Sequence, residues 1–256
     1  TNRTMKTAIK LVLIYFLMQL IGALFAGPFC LLYTYFAYGT FDMDKAGQIA
    51  VAPTMLLGFV FMGLYLWRKN YLTGDKHLYS PVSVPYLAWS LLAGMTSICI
   101  IGLLMSELTF LPNLLDQTFD ILQSGWLGIL CISVLGPVLE ELLFRGAITK
   151  ELLRRYSPAK AILFSGLIFG IYHGNIVQGI YASILGTAFA WILEMSGNTY
   201  SSMLLHMGAN IWSLLISEYA LDLYSMKYGV QILILIYLIL LISVVYCLTH
   251  FEKMCS

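Results

Sequence analysis

Three short stretches of the 256-residue chain carry ionisable side chains inside otherwise apolar runs. The first is Gly136-Pro-Val-Leu-Glu-Glu-Leu-Leu-Phe-Arg-Gly146, with Glu140, Glu141 and Arg145. The second is Phe169-Gly-Ile-Tyr-His173, and the third is His206-Met-Gly-Ala-Asn210. Carboxylate, imidazole and amide groups together can hydrolyse an amide. A carboxylate takes a proton from water, and imidazole and amide N–H groups donate to the oxyanion that forms. The two glutamates are not equivalent, because adjacent helical residues point about 100° apart. Glu141 and Arg145 stand four residues apart on one helix face and can neutralise each other, so Glu140 is the less compensated carboxylate.

These groups need elements that bring them level. The chain is 60% hydrophobic and 11% charged, with 14 basic and 13 acidic residues and a net charge of +1. That is too little charge to cover a water-facing surface, since soluble domains run near 25%. Disorder is excluded for the same reason, and the near-zero net charge argues against a nucleic-acid partner. The predicted fold class is an all-α polytopic membrane helix bundle. Windows of about 20 residues mark eight spans, near 8–37, 47–67, 85–106, 125–149, 159–176, 178–195, 199–217 and 229–249. Gly27-Pro28 predicts a kink or an interfacial stretch in the first span.

The turn at Tyr156-Ser157-Pro158 reverses the chain between the fourth and fifth spans. Glu140 lies sixteen residues before Tyr156 and His173 sixteen after Ser157, so at 1.5 Å per residue both lie ~25 Å from the turn. His206 enters the seventh span from the same side to a depth of ~12 Å. Asn210 is one turn further on the same face. Pro137 is expected to strip the Ser133 carbonyl of its helical donor and bend the helix below Glu140. Gly166, Gly170 and Gly174, and Ala182, Gly186 and Ala190, form small-residue stripes that let helix backbones approach in lipid.

Arg3, Lys6, Lys10, Arg68, Lys69, Lys76, Lys150, Arg154, Arg155, Lys160 and Lys253 fall on one side of this threading, and Lys45 and Lys227 on the other. The positive-inside rule then makes both termini cytoplasmic. It turns the acidic 107–120 connection, with Glu107, Asp116 and Asp120, outward and places Glu140 ~10–15 Å below the cytoplasmic interface. Cys30, Cys99, Cys131, Cys247 and Cys255 show no paired spacing and read as small apolar residues, not a disulfide or metal framework. His77 reads as solvated in a polar loop and His250 as interfacial. Trp67, Trp126, Trp191 and Trp212 read as belt or core residues.

The three motifs, Glu140-Glu141-x-x-x-Arg145, Phe169-x-x-x-His173 and His206-x-x-x-Asn210, resemble those of the CAAX-protease and bacteriocin-processing (Abi) family of intramembrane proteases. The resemblance covers about Gly125 to Leu215. It divides the chain into N-terminal helices at 1–120, a catalytic core at 121–218 and a last helix at 219–256. It implies an intramembrane endopeptidase in which Glu140 is the general base, His173 its partner or a water-positioning group, and His206 with Asn210 the oxyanion site. Glu141, Arg145 and Phe169 are supporting. The implied partners are the bilayer and a membrane-associated or lipid-modified peptide, as in CAAX processing, pheromone or bacteriocin maturation, or self-immunity. A metal-free reaction is the favoured reading. The alternative is a zinc ion on Glu140, His173 and His206, a two-His, one-carboxylate set with an open position. Two further readings keep the same residues: a non-catalytic peptide-binding immunity protein, and a transporter or proton relay.

Overall fold

The computed structural model describes residues 2–106, 110–224 and 229–251. Among these, ten helices follow one another: α1 Asn2–Tyr38, α2 Met43–Arg68, α3 Lys76–Tyr79, α4 Val84–Ser106, α5 Asp116–Gln123, α6 Trp126–Leu153, α7 Pro158–Tyr172, α8 Ile176–Ser196, α9 Thr199–Tyr224 and α10 Gly229–Phe251. No strand occurs among the described residues. Glu107, Lys227, Lys253 and Cys255 lie outside them.

The chain is an all-helical, multi-pass membrane bundle. Five described stretches, Arg3–Tyr38, Met43–Arg68, Val84–Gly102, Trp126–Leu153 and Ile176–Ser196, are long and apolar enough to cross a bilayer. The shorter apolar stretches Pro158–Tyr172 and Tyr237–His250 accompany them. Along α1, Leu13, Leu17, Leu20, Leu24, Phe29 and Phe36 are exposed apolar residues, which suits a surface solvated by lipid rather than water.

Several expectations about boundaries need correction. Helix α1 continues through Gly27-Pro28 without ending. The fifth span stops at Tyr172, four residues early, because Gly174 adopts φ +64° in a turn and α8 restarts at Ile176. Gly174 has no atom near the place of a side chain, so it serves the turn and not the packing stripe. Gly166 and Gly170 do serve packing, since a Cβ there would lie 2.1 Å from Thr187 Oγ1 and 1.9 Å from Ser183 Oγ of α8. An equivalent contact went unread between α4 and α9: Gly94 lies against the Leu205 carbonyl and Gly208 against that of Leu91. The acidic connection contains α5, too short for a window matched to membrane spans.

Helix α6 contains two π-helical segments, Cys131–Leu135 and Phe144–Thr149; Glu140 and Glu141 of the first motif lie between them and Arg145 lies in the second. Their cause is local. The Gly136 N–H bonds the Cys131 carbonyl, one residue further back than an α-helix would have it. The next donor position is Pro137, which has no N–H. The carbonyl left without a helical donor is therefore that of Ile132, not Ser133, and Asn210 Nδ2 of α9 donates to it at 2.7 Å. In the second segment Thr149 Oγ1 donates to the Phe144 carbonyl at 2.8 Å and lies 2.8 Å from Ser165 Oγ of α7. Side chains thus supply what the widened turns lose.

At one end of the bundle, residues far apart in sequence form a polar knot. Asp75 is buried and pairs with Lys150 Nζ at 2.5 Å. His77 Nδ1 donates to the Gly197 carbonyl at 3.0 Å, and Ser80 Oγ donates to the same oxygen at 2.5 Å. Asn198 Nδ2 bonds the Ser80 carbonyl. His77 is thus half-buried and bonded, contrary to its reading as solvated, because the α8–α9 turn folds over its loop. His250 is exposed and stacks on Tyr246. Cys30, Cys99 and Cys131 are buried and free; Cys247 is free and partly buried. Trp67 and Trp126 are exposed near helix ends, whereas Trp212 donates to Cys99 Sγ at 2.9 Å.

Candidate active site

The sequence-predicted residues separate into two layers. In the inner layer, Glu141 and Arg145 are both fully buried. Arg145 Nε lies 3.1 Å from Glu141 Oε2, and Arg145 Nη2 donates to the Gly186 carbonyl at 2.6 Å. The guanidinium also faces the rings of Phe169 at 4.8 Å and Phe189 at 5.1 Å, an arrangement that suits a weakly hydrated planar cation. Gly186 has no room for a side chain, since a Cβ would meet Phe169 at 2.8 Å and Arg145 Nη2 at 3.2 Å. The small-residue stripe on α8 therefore admits this ion pair as well as the neighbouring helix.

In the outer layer, Glu140, His173, His206, Asn210 and Phe169 line one cavity of about 620 Å³. His206 joins the layers. Its Nδ1 lies 3.0 Å from Glu141 Oε1 and its Nε2 3.8 Å from Glu140 Oε2. Because Glu141 is paired to Arg145, it is the acceptor and Nδ1 the donor. His173 is anchored likewise, its Nδ1 donating to the Phe169 carbonyl at 2.7 Å. Both rings thus have Nδ1 engaged and Nε2 available. Phe169 packs between the two imidazoles, with its ring edge-on to His173 at 4.7 Å and to His206 at 5.6 Å. Asn210 keeps its second N–H free after bonding Ile132.

Sequence reasoning missed several residues of the site. Phe189 stacks on His206 at 4.4 Å, and Tyr172 faces Glu140 and Tyr15 of α1. Tyr15 is 1% exposed and its ring centroid is 5.3 Å from that of Tyr172. Tyr172 adjoins His173 in the second motif, and a phenol beside an intramembrane histidine was the available signal. Nothing local pointed to Tyr15. The cavity also takes wall from Phe16, Met55, Ile98 and Tyr237, all outside the 121–218 core.

The cavity extends from Glu140 along Ile98, Ile101 and Met105 of α4, Leu115 and Phe119 by α5, and Ser213 of α9. These positions lie toward the bundle end opposite Lys150 and the polar knot. Asn175 of the α7–α8 turn donates from Nδ2 to Asn113 Oδ1 at 2.6 Å and fastens the α5 connection over that end. The cavity lining thus runs from Glu140 toward the end away from the basic cluster. A zinc site also needs three converging ligands. Among the described residues, no group of three His, Cys, Asp or Glu side chains is arranged to hold a metal ion.

Fold and site define a polytopic helical membrane protein with a buried Glu–Arg pair behind a cavity that exposes a second glutamate and two histidines. Residues 122–212, the stretch that carries all three motifs, match the family model Type II CAAX prenyl endopeptidase Rce1-like. YdiL of Bacillus subtilis (strain 168), named as an inferred membrane peptidase, is 30% identical over 91 residues, 36% of this chain and 37% of YdiL. The matched stretch thus spans little more than a third of that curated relative. No solved structure matches the chain.

Proposed function

We propose that the protein is an intramembrane endopeptidase that hydrolyses a membrane-associated peptide with water activated by Glu140. The observation that carries this reading is the pairing of Glu140 with His206 Nε2 across 3.8 Å at the cavity wall, while Glu141 and Arg145 hold the other side of the imidazole. One proton serves both groups. With it on either group, the charges of Glu140, Glu141, Arg145 and His206 sum to zero, so the proton can pass between them without leaving an uncompensated charge in the apolar bundle. When it sits on Nε2, Glu140 is a free base beside an N–H donor.

Water between Glu140 and the scissile carbonyl loses a proton to Glu140 as its oxygen attacks. His206 Nε2–H and the second N–H of Asn210 donate to the oxyanion. The tetrahedral intermediate collapses as Glu140 returns the proton to the departing amine, so the base of the first step is the acid of the second. His173 Nε2, fixed by its bond to Phe169, accepts from the attacking water and orients it. No step requires a metal. The family name, which refers to prenyl endopeptidases, and the name of YdiL both support a peptidase acting on membrane-associated or lipid-modified peptide. The charge distribution supports cytoplasmic termini. With that orientation, substrate reaches Glu140 from the outward half of the bundle, beneath α5.

The test is cleavage of quenched membrane peptides by the protein in proteoliposomes, comparing unsubstituted chain with Glu140→Gln and His206→Ala. Loss of at least ~10²-fold in rate for each, with unchanged helix content, is expected from removal of a general base or an oxyanion donor. Equal rates in Glu140→Gln and unsubstituted protein would sink the reading.

A further inference from the structure

Two phenols beside the candidate base take no part in the steps above. The Tyr172 hydroxyl is in hydrogen-bonding range of Glu140 and of the Tyr15 hydroxyl, and Tyr15 in turn reaches the Gln19 amide. When Glu140 is a free carboxylate it can only accept, so Tyr172 donates to it. The one proton of that phenol is then spent. Its oxygen accepts from Tyr15, whose own oxygen is left to accept from Gln19. The bonds run in one direction, from α1 to Glu140, and bonds in such a chain polarise one another.

Packing fixes each link. The Tyr172 ring is enclosed by Tyr15 at 5.3 Å, Phe16 at 5.4 Å, Phe144 at 5.3 Å and His173 at 4.9 Å between centroids. Tyr15 is buried. Gln19 lies against Gly58 of α2, where a Cβ would collide with its amide, so the bare backbone at Gly58 makes room for the far end of the chain. His206 Nε2, 3.8 Å from Glu140 Oε2, is beyond direct hydrogen-bond reach and does not by itself fix the carboxylate. A neutral phenol can do so while leaving the charge sum of the site at zero. Resting on the peptidase reading above, we infer that Tyr172 is a positioning residue that aims the Glu140 carboxylate at the attacking water, and that Tyr15 and Gln19 of α1 act through it. Helix α1, outside the 122–212 stretch, is therefore part of the machinery that sets the base.

The test measures kcat and KM for quenched membrane peptides in proteoliposomes with Tyr172→Phe, Tyr15→Phe and the double variant. Tyr172→Phe keeps the ring and removes the donor, so kcat should fall about tenfold or more while KM stays within about twofold. Tyr15→Phe should lower kcat about threefold, and the double variant should match Tyr172→Phe alone, because Tyr15 works through Tyr172. A packing role would instead lower the thermal midpoint and leave kcat in place. Infrared difference spectra between unsubstituted protein and Glu140→Gln isolate the Glu140 carboxyl band, which should move in Tyr172→Phe. An unmoved band, a kcat within about twofold of unsubstituted protein in Tyr172→Phe, or single losses that multiply in the double variant would each overturn the inference. Cleavage that still requires Glu140 would leave the peptidase reading intact in those cases. Absence of cleavage of every peptide by unsubstituted protein would remove the peptidase reading and this inference with it.

Discussion

Two glutamates side by side have opposite tasks, and substitution should separate them. Glu141 is fully buried against Arg145 and His206, so Glu141→Gln leaves a buried guanidinium without its carboxylate. It should lower stability by about 3–5 kcal/mol, read as a fall in the thermal midpoint in detergent. Glu140 has no guanidinium against it, and its partner His206 can shed its Nε2 proton. Glu140→Gln should leave that midpoint within about 0.5 kcal/mol of unsubstituted protein while removing cleavage. A matching stability loss in both variants would mean that the pair acts as a single structural unit. This division was readable from the i, i+4 spacing of Glu141 and Arg145, a local property of one helix. The reach of His206 to both carboxylates was not, because it depends on how α9 crosses α6. For the same reason Tyr15 was invisible: nothing within α1 marks it as the neighbour of a tyrosine more than 150 residues away.

At the scale of the helix, the two π segments decide where the first motif points. Asn210 compensates the Ile132 carbonyl that Pro137 cannot serve. Asn210→Ala should therefore cost about 1–3 kcal/mol through an unpaired buried carbonyl. Pro137→Ala restores an N–H at the position in register with Ile132, so the double variant should recover part of that cost. Additive losses in the cycle would contradict the arrangement. The α7–α8 contact makes a sharper demand. Gly170→Val has no space beside Ser183 and the Gly179 carbonyl and should destabilise by about 1–3 kcal/mol or more, whereas Gly174→Asn, at a positive φ with open surroundings, should be tolerated. Sequence showed these glycines as one stripe. It could not distinguish the packing members from the turn member, because a backbone angle is not encoded in spacing.

For the whole molecule, the equal arithmetic of Glu140 and His173 about the 156–158 turn anticipated that three helices would share one layer, and the cavity does collect Glu140, His173, His206 and Asn210. The course of the cavity was not legible. It is set by α4, α5 and α10, which carry no motif and acquire meaning only by where they pack. Orientation can be checked with single cysteines at Lys160 and Asp120 in a chain lacking its native cysteines. An impermeant maleimide should label Asp120→Cys in intact cells and Lys160→Cys only after permeabilisation; the reverse pattern would invert the bundle and place the cavity mouth on the cytoplasmic side.

The central claim is that Glu140 activates water without a metal, and one assay addresses it. Cleavage of a membrane peptide is measured in proteoliposomes with and without a strong chelator, alongside Glu140→Gln. The account predicts chelator-resistant cleavage that is lost in Glu140→Gln. Cleavage abolished by chelator and restored by zinc would contradict it and make Glu140, His173 and His206 ligands of an ion that draws them closer together.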